Sequence, residues 1–171
     1  MKDFEIQFSG LSFGLHSFKF EIGDKFFKYF ENQDQEFTTL KGGKLEINVA
    51  LEKKETMLIF EFDIIGNVTV ACDLCMADMT NSVETHQRII GKFSDDETWH
   101  EDDLIHLPTS SYKIDLKDLF HEYIMLSLPF KNVHEDGDCD PEMTKELDKY
   151  RITDKEESSV DPRWEKLKNL K

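Results

Sequence analysis

The sequence of 171 residues is poor in cysteine and lacks both long apolar runs and an excess of positive charge. Its three cysteines are an odd number for a disulfide framework, so we expect reduced thiols. No apolar run approaches the ~18 residues that a membrane-spanning helix needs, and residues 1–5 lack a signal-peptide pattern. The sequence therefore predicts a soluble, cytoplasmic protein of about the size of one domain.

Negative charge dominates the chain, with 36 acidic residues against 21 lysines and arginines and a net charge of −15. Such a field opposes general binding to nucleic-acid phosphates. The acids are concentrated in residues 94–103, which hold no Lys or Arg, and in residues 134–161. These runs fit either solvated loops or a surface that attracts a basic partner such as a ribosomal protein.

Signals for catalysis are also scarce. There is no GxGxxG loop, Walker-type lysine or serine nucleophile elbow, and the pair Gly42-Gly43 is typical of a hairpin turn. Carboxylates in charge runs are usually solvated rather than gathered in a cleft. The sequence therefore predicts a protein that is not an enzyme.

What is present is an alternation of apolar and polar residues that predicts β-strands. The predicted strands cover residues 4–8, 15–22, 44–53, 57–71 and 82–93. Short turns between most of them favour an antiparallel meander over a parallel α/β sheet. Helices are predicted from the N-cap Asp24 to Phe30, over residues 115–128 up to Pro129, and over residues 141–150.

The last ten residues or so carry a further helical signal. Asp161 is a candidate N-cap, Pro162 suits the first helical position, and Trp164, Leu167 and Leu170 follow along one stripe. A helix of this length is marginal alone and must dock on something, either this protein's own sheet or a partner. The prediction is a single α+β domain over residues 1–150, with two or three helices, then an acidic linker and a docked helix in residues 151–171.

Cys72 and Cys75 form a CxxC pair in a strand-rich stretch, and His134 and Cys139 lie shortly after Pro129. Two thiolates on one tight turn can reach the same tetrahedral zinc ion, and the second pair could complete its shell. Two rivals remain open: a redox dithiol, which usually lies at a helix N-terminus, and thiols that bind no metal. The other histidines show no spacing that suggests a site.

The order of four features resembles the YceD family. These are the sequence from Val68 to Cys75, the segment from Ile114 into a helix that ends at Leu128-Pro129, the cysteine region after it, and the terminal Asp161-Pro162-Arg163-Trp164 with its spaced leucines. Members of this family are bacterial and plastid proteins implicated in accumulation of the large-subunit ribosomal RNA. Bacterial genes for them often lie beside the gene of a zinc-ribbon ribosomal protein.

The resemblance implies a non-enzymatic accessory factor in large-subunit biogenesis or 23S rRNA accumulation, which would bind a basic ribosomal protein and contact rRNA at most indirectly. Zinc would be held by Cys72, Cys75, His134 and Cys139, and the partner would be bound through Asp161, Arg163, Trp164 and Leu167. The alternative is a zinc- or thiol-dependent stress or redox module unrelated to ribosomes.

Overall fold

The computed structural model describes residues 3–31, 40–94, 104–135 and 137–151. The acidic run at 95–103 and the predicted C-terminal helix therefore lie outside the described residues. The described part contains seven strands and three helices. In chain order these are β1 (Glu5–Gln7), β2 (Gly14–Ile22), α1 (Asp24–Glu31), β3 (Leu40–Lys53), β4 (Met57–Ala71), β5 (Asp78–Phe93), β6 (Leu104–Leu107), β7 (Lys113–Asp115), α2 (Lys117–Ser127) and α3 (Pro141–Asp148).

Five of the strands form one sheet in the order β2-β3-β4-β5-β6. The first four are consecutive antiparallel neighbours, and β1 pairs antiparallel with β7 in a small second sheet. This confirms the predicted α+β fold on an antiparallel meander. The short strand β6 was not predicted, and it differs from the others because it pairs parallel to β5.

The sheet has one apolar and one polar face, as the period of two along each strand requires. Alternate residues of β3 are buried, from Leu45 to Leu51, and so are Phe60, Phe62 and Ile64 of β4. The opposite face is exposed and carries the ion pairs Lys19–Glu46 and Glu61–Arg88, and a hydrogen bond between Asp63 and His86. The core therefore lies on one side of the sheet.

The helices α1 and α2 supply aromatic side chains to that core. Phe26, Phe27 and Phe30 of α1 are buried, as are Phe120, Tyr123 and Ile124 of α2. Phe120 lies edge-on to Phe62 of the sheet, with ring centroids 5.8 Å apart. The chain turns extended at Leu128, before Pro129, as predicted. No helix among the described residues is long and apolar enough to cross a membrane.

The prediction of a hairpin turn at Gly42-Gly43 was wrong, because both glycines lie inside β3. Gly43 has φ +155°, and a Cβ there would lie 2.6 Å from the carbonyl oxygen of Asn67 on β4. Gly66 of β4 faces β3 in the same way, where a Cβ would lie 2.3 Å from the carbonyl oxygen of Lys44. Glycine at these positions permits the close approach of β3 and β4 near their exit to the CxxC turn.

Candidate metal centre

The CxxC sequence forms a tight turn between β4 and β5, the position that the strand pattern predicts. The backbone N–H of Cys72 donates to the carbonyl of Ala77 over 2.8 Å, and the N–H of Met76 donates to the carbonyl of Cys72 over 2.9 Å. Met76 closes the turn in the left-handed conformation, with φ 62°. Both thiols are buried at the tip of a long, paired hairpin, which holds them in place.

His134 and Cys139 reach the same point from the other side of the molecule. They lie on the segment between the end of α2 and the start of α3, and both are half-buried. The segment leads directly into α3, where the carboxylate of Asp140 accepts a hydrogen bond from the backbone N–H of Glu142 over 2.8 Å. Cys139 therefore precedes a capped helix by one residue.

A pair of hydrogen bonds joins the two ligand-bearing segments beside the sulfur atoms. The backbone N–H of Asp73 donates to the carbonyl of Asn132 over 2.7 Å, and the N–H of Asn132 donates to the Asp73 carboxylate over 2.6 Å. Asn132 is 7% exposed, and its side-chain oxygen accepts a hydrogen bond from Asn81. We call this pair the Asp73–Asn132 clamp. Protein groups alone make the clamp, so it joins the two ligand-bearing segments independently of an ion.

Three distances within the cluster match the edges of a tetrahedral zinc site. The Sγ atoms of Cys72 and Cys139 are 3.8 Å apart, and Nδ1 of His134 lies 3.5 Å from Sγ of Cys75 and 3.8 Å from Sγ of Cys139. Zn–S bonds of about 2.3 Å and Zn–N bonds of about 2.0–2.1 Å in a tetrahedron imply S–S edges of about 3.8 Å and S–N edges of about 3.5 Å. All four ligand atoms lie within 4.8 Å of one another.

Close packing of these groups shifts their protonation in different directions. Burial raises the pKa of the Cys72 thiol, but hydrogen bonds from the backbone N–H groups of Cys75, His134 and Leu74 outweigh it and lower that pKa to about 6. The hydrogen bond with Cys72 raises the pKa of His134 against the effect of burial. Burial and the neighbouring sulfurs raise the pKa of Cys139 to about 11. The cluster thus favours a thiolate at Cys72 and retains a proton at Cys139 at neutral pH.

The structure brings together all four predicted metal ligands, and none of the other histidines among the described residues joins them. His16 contacts the carbonyl of Ser12, His86 pairs with Asp63, and His121 stacks on Phe30 with centroids 3.9 Å apart. The proposed partner-binding residues lie outside the described part of the chain; they are Asp161, Arg163, Trp164 and Leu167. The clamp residues Asp73 and Asn132 were missed, since nothing in their local sequence indicates a pairing across 59 positions.

The CxxC turn also bears on the redox alternative. Cys72 follows the last residue of β4, and Cys75 precedes β5 by two residues. The pair therefore lacks the helix N-terminus whose positive end lowers the pKa of the first thiol in thioredoxin-like dithiols. Backbone N–H groups of the turn and of the His134 segment lower the pKa of Cys72 instead.

Comparison with known proteins identifies the family but finds no close relative. Neither the curated proteins nor the solved structures contain a match to this chain. The sequence model of one protein family matches residues 60–171, which include most of β4, the CxxC turn, α2, the second ligand pair and α3. That match covers more than half of the chain. The chain therefore belongs to the family described as large ribosomal RNA subunit accumulation protein YceD.

Proposed function

We propose that Cys72, Cys75, His134 and Cys139 hold one zinc ion with a structural role. The distances between the ligand atoms support a bound zinc ion. The complete set of four protein ligands supports a structural role for it. Structural zinc sites have four protein ligands, whereas catalytic sites leave a position open for water or substrate. Three thiols and an imidazole fill all four positions here. Such a site would fix the segment before α3 to the tip of the β4–β5 hairpin.

Metal analysis of protein purified without chelator tests this proposal. We expect about one zinc per chain, and a large loss of zinc in the Cys72→Ser variant. Met76→Ala is the matched control, because Met76 lies in the same turn and is 65% exposed. Metal-free wild-type protein, or a Cys72→Ser variant that retains its zinc, would contradict the proposal.

For the protein as a whole, we propose a cytoplasmic, non-enzymatic accessory factor in accumulation of the large-subunit ribosomal RNA. The family's description carries this proposal, because it names that process. The closed ligand set adds support, because it favours a structural site over a catalytic one. Depletion of the protein should lower the amount of large-subunit rRNA relative to small-subunit rRNA. An unchanged ratio would overturn the proposed role.

We infer that the protein acts by binding a basic ribosomal protein of the large subunit, with rRNA contacted indirectly. A net charge of −15 repels a phosphate backbone and attracts a basic surface. Near the ligand cluster Glu135, Asp138 and Glu142 are exposed and belong to no ion pair among the described residues. The opposite face of the sheet offers fewer unpaired acids, since Glu46 and Glu61 pair with Lys19 and Arg88, and Asp63 shares a hydrogen bond with His86.

Two triple variants with the same change in net charge test where a basic partner binds. One neutralises Glu135, Asp138 and Glu142, and the other neutralises Glu46, Glu61 and Asp63 on the outer face of the sheet. In affinity purification from the native host, the first should lose a ribosomal protein that the second retains. Higher salt should weaken the same association, because exposed charges are screened over about 8 Å at physiological ionic strength. Salt-resistant binding to bare rRNA, with no ribosomal protein retained, would overturn the inference.

One observation favours a second candidate, a thiol-based redox module. The Sγ atoms of Cys72 and Cys139 are 3.8 Å apart, so a small movement would allow a disulfide. Peroxide would take two electrons and two protons from the thiols and be reduced to water. Mass spectrometry after mild peroxide treatment distinguishes the candidates. A Cys72–Cys139 disulfide that forms with zinc bound and reverses with thiol reductant supports the redox module. Resistance to peroxide until the metal is removed supports the structural site.

A further inference from the structure

The helix α3 differs from α1 and α2 because none of its side chains is buried. Its apolar residues nevertheless share one face. Met143 and Leu147 are 41% and 38% exposed, and Tyr150 is 82% exposed. Tyr150 belongs to the same face because the helical turn continues, with the N–H of Arg151 donating to the carbonyl of Leu147 over 3.2 Å. We call Met143, Leu147 and Tyr150 the α3 stripe. Their spacing of four and three residues is that of a helix face that packs against another element.

The end of the chain is complementary to this stripe in polarity. Residues 162–171 contain four basic residues and one acid, although the chain as a whole is strongly acidic. Trp164, Leu167 and Leu170 supply apolar side chains at helical spacing. On α3, Glu146 is ion-paired with Lys149, whereas Glu142 forms no ion pair among the described residues. A segment with apolar side chains at helical spacing therefore matches an apolar helix face.

The connection between the two segments is long enough for the chain to return. Residues 152–161 number ten, and an extended chain of that length spans up to about 33 Å. The eight residues of α3 are about 12 Å long at 1.5 Å per residue. The chain can therefore reverse and run back along α3. The outer face of the sheet is a poorer surface for this segment, because ion-paired side chains occupy it.

We propose that residues 161–171 bind in cis to the α3 stripe, with Trp164 and Leu167 packed against Met143 and Leu147. The α3 stripe would then be the binding site of the terminal segment within its own chain. This intramolecular contact goes beyond the proposed role in rRNA accumulation. The segment would fix α3, whose described residues bury no side chain of their own, and α3 would in turn cover the tryptophan.

Fluorescence of the full-length chain tests the docking. The chain has two tryptophans, so Trp99→Phe leaves Trp164 as the single reporter. In this background we expect blue-shifted Trp164 emission and weak quenching by acrylamide, independent of protein concentration. Leu147→Asp should shift the emission to the red and raise the quenching several-fold. Leu126→Asp is the matched control, because Leu126 is an exposed leucine on α2, 69% exposed, and should leave both signals unchanged.

The melting temperature should stay unchanged in Leu147→Asp, because Leu147 is no part of the core, so that the readout reports docking and not unfolding. Three results would overturn the proposal. The first is an exposed Trp164 in the Trp99→Phe protein. The second is protection of Trp164 from acrylamide that survives Leu147→Asp. The third is protection that falls on dilution, which would indicate binding to a second copy of the chain. No ribosomal component enters the assay, so its result is separate from that of the proposed function.

Discussion

The sheet with α1 and α2 and the segment that ends in α3 are held in place by different means. The first region buries a continuous set of aromatic and aliphatic side chains, with Phe26, Phe60, Phe62 and Phe120 among the largest that are fully buried. The second, from Pro129 through α3, contributes the buried Asn132 and the ligands His134 and Cys139, and α3 itself buries nothing. Packing stabilises the first region, whereas a few polar and ligand contacts place the second.

This contrast shows which part of the molecule would depend on a metal. A core of this size accounts for its own stability, so that loss of an ion should leave the sheet intact. The segment after α2 has the clamp, the ligand pair and little else. Metal loss should therefore act locally, as an opening of the segment, and not as global unfolding.

The largest effect should follow from damage to the core. Phe120 is fully buried against Phe4, Phe20 and Phe62. Phe120→Ala should cost about 3–5 kcal/mol and lower the melting temperature by on the order of 10 °C. Phe130→Ala is the control, since Phe130 is fully exposed at the end of α2 and its loss should change stability by less than about 0.5 kcal/mol. If Phe120→Ala and Phe130→Ala lowered the melting temperature equally, the contrast between the packed core and the segment after α2 would be refuted.

Removal of the metal should have a smaller and more localised effect. Chelation, or Cys72→Ser, should lower the melting temperature by less than Phe120→Ala does. In hydrogen exchange, amides of residues 129–151 should lose protection while β3 and β4 keep theirs. Chelator added to Cys72→Ser should change nothing further. Global loss of protection in the sheet would show instead that the fold requires the ion.

Zinc affinity should rise with pH. The raised pKa of Cys139, about 11, means that this thiol carries a proton at neutral pH, and zinc must displace it. The pKa of His134 is also raised, so a proton competes with zinc there too and strengthens the same pH dependence. Cys72, with a pKa of about 6, adds to the dependence only where the pH falls toward that value. Affinity should increase roughly tenfold per pH unit for each displaced proton. Competition with a coloured chelator measures this, and an affinity independent of pH would contradict it.

The smallest effect concerns the clamp. Asp73→Ala removes the carboxylate that accepts the hydrogen bond of the Asn132 N–H, and we expect a loss of about 1 kcal/mol together with faster zinc release. Asp78→Ala serves as the control, because Asp78 lies in the same hairpin and forms an exposed ion pair with Lys41. Zinc dissociation followed by transfer to a chelator distinguishes the two variants. Equal rates would show that the clamp does not position the ligands.

Local patterns in the sequence predicted the parts of this molecule that depend on local order. The strand predicted at residues 57–71 has the same bounds as β4, since alternation over fifteen residues is a strong signal. The two ligand pairs were predicted from residue type and spacing, and the structure brings them together. Their metal occupancy stays a prediction.

Features that depend on contacts between distant segments escaped prediction. The strand β6 has four residues, which are too few to show an alternation of apolar and polar residues. Its pairing with β5 depends on tertiary contacts. Gly42-Gly43 was misjudged because paired glycines are typical of turns, whereas here the approach of β4 demands them. The clamp joins the backbone and carboxylate of Asp73 to the backbone of Asn132, and a pairing across 59 positions leaves no local signature in the sequence.

The clamp has a consequence for the order in which the chain folds and takes up its metal. The hydrogen bond between Asp73 and Asn132 and the contact between Cys75 and His134 both close loops with a sequence separation of 59 residues. Closing a long loop costs entropy, and the clamp and the packed α2 offset part of that cost with protein groups alone. Zinc uptake then requires only that the segment after α2 close on the CxxC turn, so we expect the ion to exchange without unfolding of the domain and loading to follow synthesis instead of accompanying it.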